Sequence, residues 1–110
     1  MNRLQQQIRD HLVGAYGFDA ETVAHLLGAA IQNVKEIVLA LDAATAQGDW
    51  ATVDHKGHSL KGVALNVGLT ELGGLGKEIE LAAKDSAAAA QTVPPLLARI
   101  QALARGLEQE

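Results

Sequence analysis

The chain has 110 residues, a net charge of −4 and no cysteine, with hydrophobic residues at 48% but aromatics at only 3%. That length fits one domain, and the lack of cysteine excludes a disulfide scaffold, thiolate metal sites and thiol catalysis. The acidic balance leaves no dense basic stripe for general nucleic-acid binding. Alanine and leucine outnumber β-branched residues, which favours helices over sheets. Ile37 to Leu41 is the longest block of large apolar side chains, well short of the roughly 20 residues of a membrane span. The opening MNRLQQQ lacks the apolar core of a secretory signal, so a cytoplasmic helical domain is expected.

Taken in order, the first helical pattern is Leu4, Ile8, Leu12 and Ala15, broken by Gly14 and Gly17. Asp19 is placed to cap a second helix, with Phe18 as its hydrophobic staple. That helix runs from Ala20 to about Ala46, with Val23, Leu26, Leu27, Ala30, Val34, Ile37, Leu41 and Ala44 on one side. Gly48 supplies a left-handed stop. Asp49 caps a third helix from Trp50 to near Gly68. A fourth runs from about Leu69 to Lys84, with Leu72, Leu75, Ile79 and Ala82 as its stripe. The alanine-rich stretch from Asp85 to Thr92 reads as a loop or a fraying extension. Because proline is tolerated in a helix's first turn, Pro94 and Pro95 place the last helix start near Thr92 or Val93. Leu96, Leu97, Ile100, Leu103 and Leu107 give its buried side. The brief connections predict an all-α, antiparallel up-and-down four-helix bundle over residues 18–110, with residues 1–17 as an accessory helix.

The third helix carries the chemistry. At about 100° per residue, Val53, Gly57, Leu60, Ala64 and Val67 share one side, with Trp50 close by as a core anchor. The opposite arc collects Asp54, His55, His58, Lys61, Gly62 and Leu65. An outward histidine therefore has a lysine three positions on and a glycine four positions on. A glycine inside a helix costs about 1 kcal/mol relative to alanine, so Gly62 breaks a local rule where function or close packing can explain it.

The run His58-Ser59-Leu60-Lys61-Gly62-Val63-Ala64-Leu65-Asn66-Val67-Gly68 resembles the signature of histidine phosphotransfer (HPt) domains, whose pattern is H-x-L-K-G, two small residues, two variable ones, an apolar residue and glycine. Gly48-Asp49-Trp50 and the segment from Leu69 to Glu80 resemble the family's flanking elements. The similarity extends from roughly Ala20 to the C-terminus, and Val63 is bulkier than the usual small residue.

The resemblance implies that His58 accepts a phosphoryl group from a receiver aspartyl phosphate and passes it to another receiver aspartate. It also implies receiver domains of response regulators or hybrid histidine kinases as partners. A neutral imidazole nitrogen must be the nucleophile, and histidine's pKa of about 6.5 leaves mostly that form at about pH 7.5. Lys61 would neutralise phosphoryl charge. Gly62 leaves room for a receiver's loops, Leu65 offers apolar docking area, and Asp54 and His55 flank the same face. Glu80 falls where the family places a residue that hydrogen-bonds the inner ring nitrogen, which would leave Nε2 free to attack. Gly73 and Gly76 precede it on the same face, small enough to let two helices close in.

Other readings of the same residues are weaker. His55 and His58 make H-x-x-H, but the chain has no paired inward Glu-x-x-His motifs of a bundle metal site. Ser59 has no acid–base triad around it. His11 and His25 read as structural or solvated, and Asn66 and Gly68 as helix-end residues. With no Gly-rich phosphate loop and no metal ligands of its own, the chain is expected to be a phosphocarrier without kinase activity, needing no cofactor, the Mg²⁺ residing on the receiver. The rival class is a non-transferring interaction or dimerisation module, with the leading helix offering its apolar side to a partner.

Overall fold

Side-chain capping sets the first three helix starts. In the computed structural model, which describes residues 1–109, there are five helices and no strand among those residues. They are α1 (Arg3–Tyr16), α2 (Ala20–Gln47), α3 (Trp50–Asn66), α4 (Thr70–Lys84) and α5 (Ala89–Glu108). The side chains of Asn2, Asp19 and Asp49 each accept the backbone N–H three residues on, at 2.8, 2.8 and 3.2 Å. These bonds, with the Thr22 and Thr52 donors, hold the Asp19 and Asp49 carboxyls below their ordinary range. Helix α1 passes through Gly14 and stops at Gly17, and α2 stops at Gly48. Both stop glycines are left-handed, at φ 65° and 67°.

Two boundaries differ from the sequence expectation. Helix α3 ends at Asn66 rather than near Gly68, which takes φ 82° in the connection. A side chain at Gly68 would also collide with the His11 ring. Helix α5 begins at Ala89, not at Thr92 or Val93, so Pro94 and Pro95 lie inside it. Burial explains the earlier start, because Ala89 and Val93, one turn apart, are both fully enclosed. The prolines face solvent and deprive only the carbonyls of Ala90 and Gln91, themselves exposed residues that water can serve.

Helix α2 packs on α3, α3 on α4, α4 on α5, and α5 back on α2. Ile8 and Leu12 of α1 join the same core, which includes Val34, Leu41, Leu60, Ile79 and Ile100. Ala15, expected on that stripe, is exposed instead. The apolar side of α1 is thus used by the bundle itself. Its amides also work: Asn2 donates to the Gly106 carbonyl at 2.7 Å and Gln5 to that of Leu107 at 2.9 Å. These carbonyls belong to the last turn of α5, which has no helical partner for them.

By length and composition alone, α2 is long and apolar enough to cross a membrane. Its blocks of large side chains are short, and alanines carry much of its apolar character. Val23, Ala30, Val34, Val38, Leu41 and Ala44 turn one side of it into the core.

Candidate functional site

The rotation of α3 is set by Val53, Leu60 and Ala64, all with no exposed surface, which leaves His58 on the outer wall. The side chain of His58 is 64% exposed. Across the seam runs α4, in antiparallel register. Asp54 meets Lys84, His58 meets Glu80, Lys61 lies over Gly76, and Leu65 lies over Gly73.

Missing side chains make this close approach possible. A Cβ at Gly57 would sit 2.8 Å from Ile79 Cγ2, 2.9 Å from the Glu80 nitrogen and 3.0 Å from the Gly76 oxygen. One at Gly76 would sit 2.8 Å from the Lys61 nitrogen and 3.0 Å from the Gly57 oxygen. The two backbones therefore touch directly, one residue from His58 on one side and four from Glu80 on the other. Gly73 performs a similar service farther along, where Leu65 Cδ2 lies 2.5 Å from the position its Cβ would take.

That approach brings Glu80 Oε2 to 3.1 Å from His58 Nδ1. The carboxylate is 15% exposed, behind an imidazole that is mostly open to solvent. A carboxylate can only accept here, so in the neutral ring this contact favours the tautomer with the proton on Nδ1 and the lone pair on Nε2. The other oxygen, Oε1, stands 3.9 Å from Lys61 Nζ, at the outer limit of ion pairing. One turn away, Lys84 Nζ donates to both oxygens of Asp54, at 2.8 and 2.9 Å. This hydrogen bond, with the fields of Asp54 and Glu80 added, holds the Lys84 ammonium above the usual lysine value.

The sequence-predicted residues thus meet on one patch. His58, Lys61 and Glu80 converge, and His55, Gly62 and Leu65 lie exposed along the same wall. A Cβ at Gly62 would meet nothing within 4 Å, so its absent side chain serves no packing inside the molecule. Asp54, expected to face a partner, is engaged by Lys84. Two residues were missed. Gly57 was read only as part of the buried stripe, although its place just before His58 and opposite Gly76 marks the crossing point. Lys84 lies four residues after Glu80, and Asp54 four before His58; extending the one-turn rule across both helices would have paired them. Among the described residues no group of three His, Asp or Glu side chains is arranged to hold a metal.

The site is thus a helical bundle that presents an exposed imidazole braced from behind by a carboxylate of the next helix. The Hpt domain family matches residues 25–110, and the chain belongs to that family. Membership supports a phosphotransfer role in a phosphorelay; the match begins within α2 and leaves α1 outside it. Comparison with curated proteins and with solved structures produced no match.

Proposed function

We propose that the protein is a phosphocarrier whose His58 takes a phosphoryl group from a receiver-domain aspartyl phosphate and hands it to another receiver aspartate. The observation that carries this reading is the 3.1 Å contact between Nδ1 and Glu80 on an otherwise open ring. In the forward step the Nε2 lone pair attacks phosphorus. The P–O bond to the aspartyl carboxylate breaks, and that carboxylate leaves with the electron pair. The ring becomes cationic, and the Glu80 carboxylate on Nδ1 offsets the charge. Onward transfer reverses these roles. Lys61 answers the negative charge on the equatorial oxygens, and the open face at Gly62 admits the partner's loops. Helices α2 to α5, joined by short connections, are read as the antiparallel up-and-down form of the bundle. Neither kinase activity nor a resident cofactor belongs to this reading; Mg²⁺ acts on the receiver.

Incubation with a phosphorylated receiver domain is expected to place acid-labile phosphate on the protein. Binding of the receiver with no label transferred would favour a docking module instead. Lys61→Ala is expected to slow transfer about tenfold or more, by the scale of lost transition-state charge stabilisation, with the circular dichroism spectrum unchanged. An unchanged rate would remove Lys61 from the mechanism. At Gly62 the fold and the partner pull in opposite directions. Gly62→Ala is expected to stabilise the protein by about 1 kcal/mol, because its methyl enters open space in a helix. Gly62→Gln is expected to keep the fold yet weaken receiver binding, which calorimetric titration would read. Equal affinity for both variants and the parent would put the docking face elsewhere.

A further inference from the structure

We infer that Lys84 is a second phosphate-binding cation, held in reserve by Asp54 and released to the phosphoryl group once His58 carries it. This rests on the phosphocarrier reading above. The Asp54–Lys84 pair is the next rung of the seam after His58–Glu80. Asp54 precedes His58 by one turn on α3, and Lys84 follows Glu80 by one turn on α4. Side chains so related lie about 5–6 Å apart at Cβ, and a lysine side chain has four rotatable bonds with which to cover that distance. The Lys84 side chain is 53% exposed, so nothing encloses it in its present position.

The charges explain why it would move. Glu80 contacts His58 directly, and within one helical turn of these two residues lie Asp54, His55 and Lys61 on α3 and Lys77 and Lys84 on α4. In the unphosphorylated protein Lys61 and Lys84 each have one carboxylate: Lys61 the far oxygen of Glu80, Lys84 both oxygens of Asp54. Phosphorylation at Nε2 adds a group of charge about −1.5 to −2 at neutral pH. Lys61 then has Glu80 and the phosphoryl group to serve at once. Lys84 is an ammonium of this seam held by one carboxylate, and such an exposed ion pair holds it only weakly. The dianion is the stronger attractor, and Asp54 is left free at the edge of the seam as a mark of the loaded state.

The alternative is that the pair merely clasps α3 to α4. The two are separated by the proton affinity of the phosphoryl group, read from its ³¹P resonance as pH is varied. The protein is loaded from potassium phosphoramidate, where Nε2 attacks phosphorus, the P–N bond breaks and ammonia leaves, or from a phosphorylated receiver. The informative variant is the double substitution Asp54→Asn with Lys84→Gln, which removes a pair of no net charge. If the pair stays together, its removal leaves the phosphoryl titration where it was. If Lys84 has moved onto the phosphoryl oxygens, its loss raises their proton affinity, with at least a threefold change expected. Asp54→Asn alone should shift the affinity the other way, since it removes a negative charge from beside the phosphoryl group and leaves Lys84 with no competing carboxylate. An unmoved titration in the double variant overturns the role of Lys84 while the phosphocarrier reading stands. Failure of the parent protein to take phosphate on His58 from either donor overturns both.

Discussion

Replacing His58 by glutamine is expected to abolish acid-labile phosphate on the protein while leaving its folding unchanged. Glutamine isolates the nucleophile from everything else the ring does. Its amide N–H can still reach Glu80, so that carboxylate keeps a donor, but a carboxamide nitrogen has its lone pair delocalised and cannot attack phosphorus. With 64% of the side chain exposed, the substitution belongs with surface changes that move stability by about 0.5 kcal/mol or less. The thermal midpoint should therefore stay put as transfer disappears. Lability in acid matters to the assay because protonation of the ring makes it a good leaving group from phosphorus, which distinguishes a P–N bond from a serine or threonine ester. Label that survives in this variant would point to another nucleophile, with exposed His55, three residues earlier, the first to test.

Gly76→Ala should have the largest effect on the fold, and it should reach the chemistry through the seam. On helix propensity alone the change is favourable by about 1 kcal/mol. Packing reverses the sign. The new methyl would lie 2.8 Å from the Lys61 nitrogen, 3.0 Å from the Gly57 oxygen and 3.1 Å from the Lys61 Cα, all of them backbone atoms. No side chain can rotate to relieve that, so α3 and α4 must separate. Overpacking of this kind costs about 1–3 kcal/mol, and for a domain of this size a net loss of about 1 kcal/mol lowers the midpoint by about 4–8 °C. Separation also draws Glu80 away from Nδ1, so transfer should slow even at temperatures where the variant is folded. The contrast with Gly62→Ala is the sharper test: one substitution, on facing helices of the same seam, is expected to destabilise at position 76 and to stabilise at position 62. A stabilised Gly76→Ala protein would show that the helices are not in backbone contact.

What was readable along the chain is what local physics decides. The caps at Asp19 and Asp49 and the stop at Gly48 depend on hydrogen bonds and dihedral angles within a few residues, and they stand where the sequence places them. The outward direction of His58 follows from the period of α3 alone, since Val53, Leu60 and Ala64 can share one side only if His58 takes the other. Gly73 and Gly76 were legible as small residues on the face of Glu80, though not the backbone contact that Gly57 completes.

Tertiary packing decided the remainder. Helix α5 begins a turn early because Ala89 and Val93 gain burial that two prolines would otherwise argue against. Helix α1 lies on the bundle because Ile8 and Leu12 are buried in its core, while the amides of Asn2 and Gln5 find carbonyls at the end of α5, more than 100 residues away in the chain. The bracing of His58 by Glu80 and the pairing of Asp54 with Lys84 span 22 and 30 residues. Such contacts depend on the register of one helix against another, and periodicity within a single helix carries no information about that register. Here it comes from two glycines whose missing side chains let α3 and α4 meet backbone to backbone.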